Sequence, residues 1–234
     1  MKIQDSVAFV TGSNRGLGLA FVHALKERGA RKIYAASREP SVASLTGVIP
    51  VRLDVTDPQQ IAAAVEAAGD VSLLVNNAGI ALGKSVLAAG AVEAARAELE
   101  TNLFGPLQTS RAFAPVLARN GGGAIINVLS VLSWLSLPQV ATYGVSKSAA
   151  WSLTNALRAE LRVQGTQVVA VHVGFMDTDM ARGVAGTKAR PEDVAAQSLA
   201  ALETGELEVL ADAIAHQVKR GLSSAVYLTA QGPS

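Results

Sequence analysis

The chain contains no cysteine, which excludes disulfides, thiolate nucleophiles and cysteine-based metal sites, and fits a reducing compartment. Histidine is nearly as scarce. His23, His172 and His216 are far apart in sequence and no metal-ligand spacing joins them, so no metal site is expected. Aromatic residues make up only 4% and charged residues 17%, and the formal net charge is +1. No basic stripe with interleaved aromatics is present, which argues against nucleic acid as a partner. No apolar run reaches about 18 residues, and a strand pattern begins by Ser6, so neither a membrane span nor a secretion signal is expected. What is there, 234 residues of which 50% are hydrophobic, suits one soluble cytoplasmic α/β domain with its own core and a small molecule as partner.

The first third of the chain reads as strand, glycine turn, helix, strand. Ser6–Val10 is an apolar run that stops at Thr11-Gly12, and helical periodicity starts at Leu17. Between them lies Gly12-Ser13-Asn14-Arg15-Gly16-Leu17-Gly18, where the first glycine permits a tight bend and the later ones let backbone approach a ligand. The helix N-terminus then presents unpaired N–H groups to a pyrophosphate. The glycines are separated by three residues and then one, not by the one and two of the common dinucleotide fingerprint.

A second strand, Lys32–Arg38, ends in Ser37-Arg38. An acidic side chain at this place would accept from a ribose 2′-OH, whereas arginine accommodates a 2′-phosphate. Arg15 in the glycine turn should face the same point, and two guanidiniums around one phosphate favour NADPH. The alternative is a pair of solvated surface charges, with Glu39 beside Arg38.

Further on, Val48–Leu53 reads as the third strand, followed by Asp54-Val55, and Asp57-Pro58 caps and starts a helix. Asp70–Val75 is the fourth strand and runs into the small-residue tip Asn76-Asn77-Ala78-Gly79. A long helical stretch from Ala91 to Arg119 should break or bend near Gly105-Pro106 and again at Pro115. The fifth strand, Ala124–Leu129, delivers Ser130 at its carboxyl end, where open α/β sheets bind ligands and a hydroxyl can reach a substrate carbonyl.

Thirteen residues later come Tyr143 and Lys147, four apart and therefore on one face of a helix. Free tyrosine has a pKa of about 10, so acid/base work near neutrality needs a drop of roughly 3 units, or about 4 kcal/mol. A partly desolvated ammonium supplies much of that, and a cationic cofactor ring adds more. By itself this spacing occurs by chance in many helices. Trp151, two turns on, reads as packing or a subunit interface. Gln167–Val173 is a sixth, buried strand in which His172 reads as a core histidine, and Glu208–Ala211 suggests a last short strand.

Taken in order, Thr11-Gly12-x-x-x-Gly16-x-Gly18, Asp54-Val55, Asn76-Asn77-Ala78-Gly79, Asn102, Ser130, Tyr143-x-x-x-Lys147 and Gly174…Thr178 resemble the single-domain branch of the short-chain dehydrogenases/reductases over about residues 5 to 185. The resemblance implies a Rossmann-type doubly wound parallel sheet in three αβα layers. It implies NADP(H) as cofactor, carbonyl reduction and its reverse as the reaction, and Asn102, Ser130, Tyr143 and Lys147 as catalytic residues. Asn102 would help hold a relay water, and Lys147 would also hold the nicotinamide ribose. Cofactor contacts would come from Gly12, Asn14, Arg15, Gly16, Leu17, Gly18, Arg38, Asp54, Val55, Asn76, Ala78, Gly79, Tyr143, Lys147, Gly174, Phe175 and Thr178.

Departures from the family pattern are Leu129 in place of a second serine, Val173 in place of the usual proline, and a tail without the common glycine-rich ending. A lid is expected over about residues 175–190 and a flexible tail over about 223–234. Val131, Leu132, Trp134, Leu135, Phe175, Met176 and Met180 are candidate pocket residues that suit a hydrophobic ketone or aldehyde, though the same residues could be core. A homodimer or homotetramer is implied by resemblance alone. The contrasting expectation is a non-catalytic NADP-binding regulatory protein of the same fold. An extended-branch epimerase or dehydratase would need a larger substrate domain than this length holds.

Overall fold

Seven parallel strands form one sheet in the order β3-β2-β1-β4-β5-β6-β7, with helices on both faces. The computed structural model describes residues 1–40, 46–179 and 188–228. The strands are β1 (Val7–Thr11), β2 (Lys32–Ser37), β3 (Val48–Arg52), β4 (Leu73–Asn76), β5 (Ala124–Val128), β6 (Gln167–His172) and β7 (Glu208–Leu210). The helices are α1 (Gly16–Glu27), α2 (Pro58–Ala67), α3 (Ala91–Leu99), α4 (Gly105–Arg119), α5 (Ala141–Leu161), α6 (Pro191–Thr204) and α7 (Ala213–Gly221).

The central strands are near-continuous apolar runs because both faces are covered. One core lies under α1 and α6 and contains Val10, Phe21, Leu25, Val171 and Leu199; the other lies under α2, α4 and α5 and contains Phe9, Leu74, Phe113, Ile125 and Leu157. Pro50 sits in β3, an edge strand, where its missing N–H costs least. The order reverses between β1 and β4, so the crevice outside their carboxyl ends is the place a doubly wound sheet offers a ligand.

Two helical details differ from the periodicity. The expected break near Gly105-Pro106 is a π-helical turn, Glu100–Phe104, placed between α3 and α4. Gly105 follows it because a side chain there would press on Val55 Cγ2 at 2.8 Å, and Pro106 falls in the first turn of α4, where it is tolerated. Pro115 does not break α4. It removes one backbone bond, while Phe113, Val116 and Leu117 on the buried face keep the helix in place.

After β6 the chain makes a closed-based excursion. Ala189 N donates to Phe175 O at 2.8 Å and Asp177 N to Ala189 O at 3.0 Å, so both ends of the expected lid are tied together. Positions 180–187 of that lid, Met180 among them, lie outside the described residues, as do 229–234 of the expected tail. Residues 222–228 form two short 3-10 turns that follow α7. No helix among the described residues is long and apolar enough to cross a membrane.

Candidate active site

The glycine turn is locked to the tip of β4. Gly12 has φ +65°, and a side chain on it would meet Ala78 Cα at 2.9 Å. Thr11 Oγ1 accepts the N–H groups of Asn77 and Ala78, both at 3.0 Å, and donates to Val75 O at 3.3 Å. The Asn77 amide in turn donates to Thr11 O at 3.0 Å and Gly12 O at 3.1 Å. Sequence reasoning gave Thr11 and Asn77 no task; a hydroxyl and an amide at the carboxyl ends of adjoining strands are the signal that could have shown it.

Helix α1 starts from Arg15 in extended conformation with no side-chain cap and no acidic residue in its first turn. Its leading N–H groups are therefore left to an anion. Thr178 stands 3.3 Å from where a Gly16 Cβ would be, so the 174–179 segment reaches over this helix end. Arg15 is paired with Asp179 at 3.0 Å, both largely exposed, and Arg38 is exposed just past the end of β2. Asp54 Oδ1 is engaged by Thr56 N and Oγ1, at 3.0 and 2.7 Å. These glycines and uncapped donors fit a dinucleotide pyrophosphate laid across the β1–β4 crevice.

Asn102 lies in the π-helical turn and is 1% exposed. Its amide clamps Ile80 in both directions, accepting from Ile80 N at 2.9 Å and donating to Ile80 O at 2.8 Å. It also donates to Ser146 Oγ at 2.9 Å, and Ser146 donates to Tyr143 O at 2.7 Å. Beside it is a cavity of about 10 Å³ whose lining includes Asn76, Asn102, Asn127, Val128, Lys147 and Thr154. That is close to the space one water needs, with several polar partners.

Ser130 follows β5, and its Oγ accepts from Leu132 N at 3.1 Å, capping a 3-10 turn at Val131–Ser133. The hydroxyl proton is left to donate elsewhere. His172 Nδ1 lies 3.2 Å from Ser130 O, which makes that nitrogen the donor. Burial pushes this histidine down to about 4, and it stacks on Trp134 with centroids 3.7 Å apart, as a core histidine should.

Lys147 is buried. It donates to Val128 O at 2.9 Å, and Gly79 is close enough that a Cβ there would lie 3.8 Å from its Nζ. Burial pushes the ammonium down to about 8. Its Nζ lies 5.7 Å from the centroid of the Tyr143 ring. The expected lowering of the phenol by this lysine is not what governs Tyr143: burial first, and then the charge of Glu98, push the phenol up. The ammonium is aimed at the Val128 carbonyl, while desolvation penalises the phenolate directly.

One expectation for the pocket changes. Val131, Leu132 and Trp134 are core residues packed with Ala215 and Val218 of α7, and Trp151 meets Trp134 edge-on inside the same cluster. The N–H of Gly174 donates to Asp212 Oδ2 at 2.7 Å, in a fit so close that a Gly174 Cβ would lie 3.1 Å from that oxygen. Asp212 also caps α7 through Ala215 N at 2.7 Å. Neither Asp212 nor Glu98 was singled out from sequence. Glu98 carried a signal, a carboxylate in the buried series Ala91, Ala94, Glu98 of α3.

Comparison with known proteins agrees with this geometry. The family model for short chain dehydrogenase matches residues 6–189. The 3-oxoacyl-[acyl-carrier-protein] reductase FabG of Vibrio cholerae is 32% identical over 88% of this chain and 86% of its own, and that of Escherichia coli 30% identical over 99% and 96%. Among solved structures, a short chain dehydrogenase from Burkholderia cenocepacia in complex with NADP is 43% identical, covers 100% of both chains and superposes with a TM-score of 0.95. A gluconate 5-dehydrogenase from the same organism, with NADP and tartrate, is 25% identical over 89% of this chain and 94% of its own, with a TM-score of 0.81. By fold, motif order and kinship, the chain belongs to the short chain dehydrogenase family of oxidoreductases.

Proposed function

We propose that the protein reduces a ketone or aldehyde to an alcohol with NADPH, reversibly. The observation that carries this reading is Lys147, which joins three parts of the site at once. It rises from α5 next to Tyr143, bonds the carboxyl end of β5 at Val128, and reaches the β4 tip at Gly79. Only one of its three N–H groups is used by Val128 among the described residues, which suits it to ribose hydroxyls.

When bound, NADPH supplies the hydride for the carbonyl carbon. Ser130 donates its free hydroxyl proton to the carbonyl oxygen and fixes its direction. Tyr143, held protonated by its surroundings, gives the phenolic proton to the oxygen as it becomes an alkoxide. Lys147, its ammonium bonded to Val128 O and 5.7 Å from the Tyr143 ring centroid, offsets part of the charge of the phenolate so formed. Asn102 holds Ile80 and Ser146, and the water-sized cavity between Asn102 and Lys147 offers a route for proton return. Arg15 and Arg38 support a 2′-phosphate. Exposed Leu82, Val86 and Leu87 on the loop after β4 support an apolar substrate, and exposed Phe104 and Val145 support a homo-oligomeric contact.

The test is Tyr143→Phe assayed for carbonyl-dependent NADPH oxidation over a panel of ketones and aldehydes. Turnover should fall by about 10²- to 10⁴-fold while NADPH binding persists. Undiminished turnover would show that the phenol is not the proton donor.

A further inference from the structure

β6 is apolar and buried from Val168 to Val171 and then carries a histidine. His172 is 0% exposed, and no step of the proposed reduction uses it. Burial keeps its ring neutral, with one proton to place, and two acceptors face it. Ser130 O lies 3.2 Å from Nδ1, within hydrogen-bond reach. Glu208 Oε1 lies 3.7 Å from Nε2, beyond that reach, and both Glu208 oxygens are engaged by Lys219 Nζ at 2.9 Å. The proton therefore belongs on Nδ1, and Nε2 stays buried without a hydrogen-bond partner among the described residues. An unpaired buried ring nitrogen is costly and calls for a reason on the other side of the ring.

That reason lies where β5 turns away from the sheet. β6 holds the residues on either side of Ser130, through Leu129 N to Val171 O at 2.8 Å and Val131 N to Val173 O at 3.0 Å. Ser130 O itself accepts from Ser133 N at 3.0 Å and from His172 Nδ1. The direction of this carbonyl sets the plane of the peptide that opens the 3-10 turn. Within that turn, Leu132 N is the donor that holds Ser130 Oγ at 3.1 Å. A path of short contacts thus runs from the imidazole through the peptide plane to the serine hydroxyl. The imidazole is fixed in turn by Trp134, at the far end of the same turn, which stacks on it with centroids 3.7 Å and planes 19° apart.

We propose that His172 is a positioning residue for Ser130: by donating from Nδ1 to the Ser130 carbonyl, it fixes the turn that aims the serine hydroxyl at the substrate. The kinetic consequence rests on Ser130 being the group that orients the substrate carbonyl. An apolar residue in place of His172 fills the space but leaves Ser130 O to Ser133 N alone, and the peptide plane is then free to rock. A misplacement of about 1 Å at a reacting centre costs up to about 10²-fold in rate, so the partial freedom gained here should cost about tenfold.

The experiment compares His172→Leu with His172→Asn. Leucine and asparagine have nearly the same shape and both lack the ring that stacks on Trp134, but the asparagine amide offers an N–H close to the place of Nδ1. Turnover is measured as NADPH-dependent reduction of 4-nitrobenzaldehyde, and NADPH affinity by the fluorescence of the bound nucleotide. His172→Leu should lower kcat about tenfold and leave NADPH affinity unchanged, and His172→Asn should recover most of the loss. Ser130→Ala keeps the backbone carbonyl and removes the hydroxyl. In that background His172→Leu should cost less than about twofold more, because the group it positions is gone. In the wild-type protein, ¹⁵N NMR of the imidazole should place the proton on Nδ1 at neutral pH, with His172→Asn assigning the signal.

A His172→Leu protein with the kcat of wild type overturns the proposal, as does an equal loss in the leucine and asparagine variants, which would mark a packing role. The same loss from His172→Leu in the Ser130→Ala background overturns it too, since the histidine would then act elsewhere. So does a wild-type imidazole protonated on Nε2, a result that needs no variant to fold. Wild-type turnover in Ser130→Ala is a different failure: it removes the serine from the mechanism, and this role of His172 with it.

Discussion

Gly18→Ala should damage both stability and dinucleotide binding, and the structure gives the size of the effect. A Cβ at Gly18 would overlap the Gly12 carbonyl oxygen and lie 2.7 Å from Gly12 C and 2.6 Å from Asn77 Nδ2. The obstruction is backbone at the glycine turn, so no side-chain rotation relieves it, and overpacking of this kind costs about 1–3 kcal/mol. Displacing the Asn77 amide from Thr11 O and Gly12 O adds about 1 kcal/mol per bond lost, while the better helix propensity of alanine returns about 1 kcal/mol. The net is a loss of about 2–4 kcal/mol, which lowers the urea midpoint by about 1–2 M. Because the same shift moves the α1 donors, NADPH affinity measured by calorimetry should fall by at least about tenfold, or 1.4 kcal/mol. Gly16→Ala is the comparison: at φ +53° its new Cβ meets only Thr178, at 3.3 Å, so it carries a left-handed penalty of about 1–2 kcal/mol and no backbone clash. A Gly18→Ala protein with the urea midpoint and NADPH affinity of wild type would refute the packing argument.

Other consequences can be measured separately. The Lys147 ammonium is pushed from 10.5 down to about 8, so its charged form costs folding about 3 kcal/mol below pH 8, a cost that fades as pH rises from about 8 to 10.5. Lys147→Met removes that cost and leaves Val128 O unpaired at about 1 kcal/mol. It should therefore be more stable than wild type by about 2 kcal/mol at pH 7, lose this advantage near pH 10, and lose turnover; urea unfolding at the two pH values checks it. Asp212→Ala removes the α7 cap and the Gly174 contact together, for about 3 kcal/mol and a fall in Tm of about 8 °C by calorimetry. Arg38→Asp should reverse the preference for NADPH over NADH by at least about tenfold in kcat/KM, since a carboxylate repels the 2′-phosphate and accepts from a 2′-OH; an unchanged preference would separate Arg38 from that phosphate.

Much of the site was legible because its chemistry sits at strand ends and helix starts. The glycine turn, the Asn76–Gly79 tip, Ser130 and the Tyr143/Lys147 face each follow a local pattern, and the fold brings all of them to the carboxyl edge of the sheet. The pocket was not legible. Val131, Leu132 and Trp134 are near Ser130 in sequence and look like its lining, but α7 returns from about 80 residues downstream and covers them. Apolar residues beside a catalytic one cannot be assigned to core or pocket until the covering element is known.

The residues therefore determined the element types and, through the family resemblance, the parallel doubly wound sheet and the candidate site residues, since periodicity, glycine placement and motif spacing are local properties. Tertiary packing decided the rest. It buried Glu98 against the 82–84 loop, gave the N–H of Gly174 to Asp212, and directed the Lys147 ammonium to Val128. Burial, and then the charge of Glu98, push the Tyr143 phenol up, because desolvation and charge act through space and not along the chain.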